Sequence, residues 1–319
     1  MENTKRLNGI DVMKLFMAFI VIFIHTSLAS MINGKCVHSC LIIIQKAAVP
    51  FFFICNGYFA GVSKRKNYKT YAFRFAKMYV IWSIMYLPLD LIGGGGYSLL
   101  SYCRDFFLKG YHNYSWHLWY LLGLVYGFTL LLLCKKLKIS NRAVHLIVGI
   151  MYILGRMLTY CALSYSGNNI YIIQIGAIVH AYFYNGRLLC VPLYLIVGND
   201  IAKKDIERKE VSNLTWIALI MVSLILDIFY IENEISYAII PILFFEIAKR
   251  IRLPQCMICN YLGRLSYWIY LWHMYIVFVS VEILKLSLMG EQFFVPLVSV
   301  LLAIIIIILE NKRIRNKEL

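Results

Sequence analysis

Lys14 and His25 lie eleven residues apart on the first apolar segment, close to three turns of an α-helix, so the spacing places both on one stripe of one helix. At ~1.5 Å per residue they stand ~16 Å apart, the lysine near one water boundary and the imidazole ~25 Å from the inner end. A cation at one boundary and a titratable ring deep in the span suit chemistry carried across a membrane. Ionisable groups at membrane depth are costly and mark function by default. Asp11, three residues before Lys14, is a natural counter-ion, and the alternative for Lys14 is a snorkelling lysine paired with it. His25 is flanked by Ile24 and Thr26, and its burial requires a polar partner or cavity.

A second basic group follows. Lys64, Arg65, Lys66 and Lys69 fit a topology-setting loop, whereas Arg74 and Lys77, three apart, share a helix face and could jointly grip a polyphosphate or could equally set topology. His117 begins the fourth apolar segment within Trp116-His117-Leu118-Trp119-Tyr120, where an aromatic interface belt is the competing reading. His273 ends the run Ser266 to His273 and suits either proton handling or a hydrogen-bonded core position. His38, His112, His145 and His180 fall in loops or at helix ends and read as bystanders. Among within-span charges, Lys46 fits snorkelling, Arg156 and Asp227 fit an external cavity or a mutual pair, and Glu246 has no assigned role. No GxSxG, HExxH, P-loop or dinucleotide fingerprint is present. The nine cysteines are scattered, and Cys256-x-x-Cys259 lacks the second pair or histidine set a metal site needs, so no metal is expected. Imidazole acting as general base on an acceptor hydroxyl is the most economical chemistry.

The elements that must position these groups are membrane helices. Of 319 residues, 61% are hydrophobic and 15% charged, with a mean hydropathy of +0.71. Apolar runs of about 17 to 25 residues predict ten spans, at roughly 8–31, 39–61, 71–92, 116–133, 144–163, 188–200, 213–230, 236–249, 261–281 and 293–310. With a cytoplasmic N-terminus, most of the 32 Lys and Arg residues fall on inner segments, every inner loop richer than its outer neighbours. The expected fold is therefore an all-α membrane protein, a bundle of about ten transmembrane helices with both termini cytoplasmic, forming a single domain over 1–319. The net charge of +16 follows from this topology and from attraction to anionic lipid, and calls for no nucleic acid. The first segment is too long, and too poor in small residues at its end, to be a removable signal peptide. Gly93 to Gly96 reads as a hinge. The outer stretches 92–115 (Asp105, His112) and 164–187 (Asn168, Asn169, Gln174, His180) are expected to shape the mouth of an external cavity. No internal repeat supports an inverted-repeat transporter.

Several segments resemble the acyltransferase-3 family of multi-span membrane O-acyltransferases. Ile10-Asp11-Val12-Met13-Lys14, then ten residues and His25, resembles the family's I-D-x-x-[RK] opening and [RK]-x10-H signature. Pro50 to Tyr58 is similar to P-x-F-F-x-x-S-G-Y, with Asn56 where serine is usual. Arg74-Phe75-Ala76-Lys77 is similar to a basic R-x-x-R pair, with lysine second. His117-Leu118-Trp119-Tyr120-Leu121 resembles H-L-W-[FY]-L. Asn185-Gly186 and Leu195 to Gly198 resemble R-N-G and F-x-L-L-G, with Tyr184 where arginine is common. Leu262 to His273 is close to L-G-x-x-S-[YF]-x-x-Y-[LI]-x-H.

The resemblance, running from about residue 10 to 275 in family order, implies acetyl-CoA or another short acyl-CoA bound from the cytoplasm and acyl transfer to a hydroxyl of an extracytoplasmic cell-envelope glycan. It implies that Lys14, Arg74 and Lys77 hold the CoA phosphates, that His25 is the catalytic base, and that His117 and His273 serve positioning or proton handling. Two rival readings belong to another class. A related branch forms the membrane half of serine racemases, an L-serine uptake module, and the end of the chain at Leu319 without a soluble domain weighs against it. In a polysaccharide exporter or flippase, the same polar groups would line a path.

Overall fold

The computed structural model describes residues 7–63, 67–93, 98–163, 170–183, 186–206, 234–254 and 259–318. Among these the chain is helical, with no strand: α1 Asn8–His25, α2 Lys35–Val62, α3 Tyr68–Gly93, α4 Leu99–Leu108, α5 Trp119–Lys136, α6 Asn141–Leu163, α7 Ile170–Phe183, α8 Arg187–Ile206, α9 Glu234–Arg250, α10 Cys259–Phe278 and α11 Leu288–Glu318. Among the described residues six helices are long and apolar enough to cross a membrane: Asn8–His25, Val37–Val62, Tyr68–Ile92, Trp116–Lys136, Asn141–Tyr160 and Leu288–Asn316. These match six of the ten expected spans, and the protein is a multi-pass membrane protein. The expected spans at 188–200 and 236–249 lie in α8 and α9, and that at 261–281 runs from α10 into a π-helical turn, Val279–Ile283, while 213–230 lies outside the described residues, as does Asp227. Internal prolines occur in α2, α3, α8, α9 and α11 (Pro50, Pro88, Pro192, Pro241 and Pro296). Neighbouring helices and local backbone adjustment make such prolines tolerable in lipid, where every backbone group must be satisfied internally.

The chain forms two compact units. The first comprises Met1–Phe52 and Ser212–Leu319, and the second Phe53–Val211, the boundary falling inside α2.

In the first unit α1 packs against α9, α10 and α11, and α10 packs along α11. Gly9 explains the close approach of α1 to α9, since a Cβ there would collide with the carbonyl of Ala248 and come within 2.6 Å of that of Ile251. Asn8 Nδ2 donates to the carbonyls of Pro254 (3.0 Å) and Leu253 (3.4 Å), tying the start of α1 to the chain after α9. Toward the same end of the unit's helices Arg264 reaches Glu310 (2.6 Å) and Asn311 (2.7 Å), and Trp268 Nε1 donates to the same carboxylate at 3.3 Å, clamping α10 to α11.

In the second unit α3 packs on α5, α5 on α8, and α6 on α7 and α8. Phe128 on α5 is the hub of the first contact: Phe75 stacks on it at 5.8 Å, Tyr71 at 5.1 Å and Tyr68 at 6.2 Å. The C-terminal half of α2 meets α8 at backbone distance. A Cβ on Gly57 would collide with the carbonyl of Leu195, one on Gly198 with that of Ile54, and one on Gly61 with Ala202. Small residues four apart on both helices, Gly57 and Gly61 against Gly198 and Ala202, let dispersion act between backbones, the main attraction available to helices in lipid.

Candidate active site

Helix α1 carries both Lys14 and His25, as the spacing predicts, but it ends at His25 rather than running to residue 31. Ser27 adopts φ 56°, a left-handed conformation that stops the helix, and Leu28–Met31 form a single 3₁₀ turn. The apolar composition continues through this break, which is why hydropathy alone overran it. The imidazole is thereby half-buried in the last turn of α1 instead of flanked by helix on both sides.

His273, fully buried in the C-terminal half of α10, lies face to face with it. The ring centroids are 5.2 Å apart and the planes inclined by 29°. Nδ1 of His273 lies 2.7 Å from the carbonyl of Tyr270 and 3.2 Å from that of Ile269. Carbonyls only accept, so Nδ1 carries the proton, and in the neutral ring Nε2 is the lone-pair nitrogen. The fold thus fixes tautomer and orientation of the second ring, as an imidazole handling protons requires.

Immediately after His25, Thr26 is anchored twice. Its hydroxyl is directed at Gln292 Oε1 (2.9 Å), with the Ile22 carbonyl at 3.2 Å, and Gln292 Nε2 donates to the Thr26 carbonyl at 2.6 Å. Gln292, at the start of α11, therefore holds the helix end from which His25 projects. Sequence reading missed it, because a lone glutamine opening an apolar helix has no motif around it.

Lys14 lies two helical turns into α1 and reaches Asp11 at 3.4 Å, both side chains largely buried. Lys46, on α2, sits over the Tyr237 ring at 4.7 Å, a cation–π partner in place of a lipid boundary. Glu246 bonds Lys249 at 3.2 Å and lies 4.0 Å from Arg250.

Arg74, Lys77 and His117 belong to the second unit. Tyr68, Tyr71 and Phe75 face Phe128, while Arg74 and Lys77, three residues apart, are both exposed, and the Arg74 guanidinium lies 6.0 Å from the Phe75 ring. Among the described residues neither forms an ion pair. Lys64, Arg65 and Lys66 lie outside the described residues, as do Asn168, Asn169, Tyr184, Asn185, Cys256 and the glycines after Gly93; Lys69 is exposed. His117 is not part of an exposed aromatic belt. It sits in the 3₁₀ turn Trp116–Leu118, 3% exposed, edge-on to Tyr86 with centroids 4.8 Å apart. Asn56, where the resembled pattern has serine, donates from Nδ2 to the Tyr120 hydroxyl at 2.7 Å and so joins α2 to the segment that His117 opens.

The stretch after α3 holds a buried polar network. Asp105, fully buried, accepts from Arg104 at 2.8 Å and pairs with Lys109 at 3.1 Å. Burial pushes its carboxyl up, but these two cations outweigh burial and hold it below the usual carboxylate range. His112, read as a bystander from sequence, is 3% exposed and stacks on Tyr102 at 4.1 Å. Burial pushes its imidazole below the usual histidine range, against the raising influence of the Tyr102 carbonyl, Asp90 and Asp105. Ser115 donates its hydroxyl to Asp90 at 2.6 Å, while His112 Nδ1 lies 3.5 Å from that oxygen. The serine proton is therefore committed to a carboxylate, an order that pins a loop to α3 and does not activate a nucleophile.

A family model described as an acyltransferase domain matches residues 7–309. The chain is 26% identical over 298 residues to a serine/alanine racemase of Enterococcus gallinarum, a match covering 84% of the chain and 40% of that relative. It is 28% identical over 142 residues to an amino-acid racemase of Enterococcus faecalis, covering 41% of the chain and 20% of the relative. The chain thus spans less than half the length of these curated relatives. No solved structure matches it significantly.

Proposed function

Because the chain belongs to the acyltransferase family whose domain model spans residues 7–309, we propose that it is a membrane O-acyltransferase moving an acetyl or other short acyl group from cytoplasmic acyl-CoA to a hydroxyl of an extracytoplasmic envelope glycan. The observation that carries this reading is the stacked pair of His25 and His273, 5.2 Å apart at the end of an apolar helix. His25 takes the proton of the acceptor hydroxyl as its oxygen attacks the thioester carbonyl carbon. The carbon–sulfur bond then breaks, and the departing thiolate takes up the proton that His25 had accepted, which restores the neutral imidazole. His273, its Nδ1 committed to backbone carbonyls, orients the first ring. His117 is assigned a positioning role in the second unit. Lys14, Arg74 and Lys77 hold the CoA phosphates, the exposed pair on α3 by its shared face. The ten-span arrangement with cytoplasmic termini, in a bacterial plasma membrane, belongs to the same proposal.

The test is transfer of label from labelled acetyl-CoA to envelope acceptor by purified protein. Transfer by the parent and its loss in His25→Ala support the assignment, and transfer at the parental rate by His25→Ala overturns it.

One observation favours a second reading. A relative matched over 84% of the chain is named a serine/alanine racemase, and the resemblance to the branch that forms the membrane half of such proteins implies an amino-acid uptake module. Accumulation of labelled L-serine in proteoliposomes without any acyl donor would favour the transporter, and CoA-dependent stabilisation of the protein would favour the enzyme.

A further inference from the structure

The second unit contains a cavity of about 380 Å³ where four helices meet, at the C-terminal ends of α5 and α8 and the N-terminal ends of α3 and α6. Its polar lining includes Tyr68, Lys135, Lys138, His145, Asp200 and Lys203. We propose that this cavity binds a phosphate group, supplied either by the headgroup of an anionic membrane lipid or by a soluble phosphate compound.

The lining carries three ammonium groups against one carboxylate, and that carboxylate is already engaged. Asp200 accepts from His145 Nε2 at 2.6 Å and from Lys203 at 2.8 Å. His145 Nδ1 lies 2.6 Å from the Asn141 carbonyl, so both ring nitrogens face acceptors and the ring donates from both sides. These bonds hold Lys203 and His145 in place. Lys135 and Lys138 have no acidic partner among the described residues, and Lys138 is held at φ 54° in the turn joining α5 to α6. A left-handed lysine is uncommon, and here it follows from reversing the chain within the few residues between two long helices.

The dimensions and walls also fit. The volume falls in the range of small-ligand sites, and Leu131, Val144 and Ile196 give the cavity an apolar side. Its position is where the candidate spans Trp116–Lys136 and Asn141–Tyr160 end, the level at which lipid phosphates lie. Basic pockets between helix ends take up phosphate headgroups. Lysines that only set topology have no reason to converge on one cavity.

The proposal stands apart from acyl transfer and is tested on the full chain in phosphatidylcholine nanodiscs. One arm adds phosphatidylglycerol and counts retained lipids by native mass spectrometry. The other adds inorganic pyrophosphate and measures binding calorimetrically. In each, Lys135→Gln/Lys138→Gln is compared with the parent and with Lys69→Gln/Lys136→Gln, which removes equal charge from residues outside the cavity lining. All four residues are exposed, and unchanged melting verifies folding. The expected result is binding in at least one arm that weakens about fivefold per cavity lysine and is left intact by the control variant. Binding in the lipid arm alone identifies a headgroup, and binding in the pyrophosphate arm identifies a soluble phosphate. The absence of binding in both arms, or equal binding by parent and cavity variant, overturns the proposal.

Discussion

The ring of His273 lies 5.2 Å from that of His25, with its Nδ1 proton directed at the Tyr270 carbonyl 2.7 Å away. One ring is held by backbone, and the other sits half-buried at a helix terminus. In the proposed transfer these positions divide the work between an orienting group and a base. His25→Ala should lower transfer of labelled acetyl by about 10²-fold or more. His273→Asn, which keeps a polar group in a fully buried site, should lower kcat with little change in KM for acyl-CoA. A rise in KM alone for His273→Asn would assign that residue to substrate binding instead.

The Thr26–Gln292 pair supplies a second prediction. Thr26 is 1% exposed, so Gln292→Leu leaves a buried hydroxyl without its side-chain acceptor and should destabilise the protein by about 1–3 kcal/mol. Displacing the end of α1 should also slow transfer, by about tenfold or more. Combining Gln292→Leu with Thr26→Val removes both partners, and the stability loss of the double variant should fall short of the sum of the singles. Denaturation of the three variants in one detergent measures this, and strict additivity would show that the pair is not coupled.

Packing glycines can be separated from incidental ones. Gly198→Ala sets a methyl against the carbonyl of Ile54 and the amide of Tyr58 at the α2–α8 crossing, and overpacking of this kind costs about 1–3 kcal/mol. Gly149 also lies inside a helix, but an added Cβ meets nothing within 4 Å. Gly149→Ala should therefore be neutral or stabilise by about 0.5–1 kcal/mol. Thermal midpoints of the two variants should move in opposite directions or differ clearly, and equal shifts would argue against the close crossing.

How much of this could be read from the sequence depends on the range of the interaction. Lys14 and His25 on one helix are a matter of local spacing, and α1 carries both. The apolar runs at 39–61, 71–92 and 116–133 each became a helix because length and hydropathy suffice for that. The end of α1 at His25 was not legible, since Thr26-Ser27-Leu28 contains no glycine or proline and the left-handed Ser27 carries no signature. Partners far apart in the chain were equally hidden: His25 with His273, and Thr26 with Gln292. The motif-like glycines at 57 and 198 were visible as a pattern, yet their reason, backbone contact between α2 and α8, appears only in three dimensions. His112 read as a bystander because its burial depends on Tyr102, Ser115 and Asp90, which no spacing rule connects.

The buried network after α3 yields a pH dependence whose sign can be worked out. His112 is held below the usual histidine range, chiefly by burial, so below about pH 6.5 the unfolded segment binds a proton that the folded one refuses. Stability of this segment should fall as the pH drops through that value. Asp105 behaves differently. Its carboxyl is held below the ordinary range by Arg104 and Lys109 despite burial, so the stability it contributes is present above about pH 4 and is lost only as the pH falls through its lowered folded value. Between pH 7.5 and 5, the protection factors of the amides of residues 98–115, taken against the intrinsic exchange rate at each pH, should therefore fall, while those of the α3–α5 contact around Phe128 should not. His112→Gln should flatten that response by removing the group that titrates there, and Asp105→Asn should leave it in place, since the carboxylate is ionised throughout this window. A loss of protection in acid that persists unchanged in His112→Gln would assign the effect to a group outside this network.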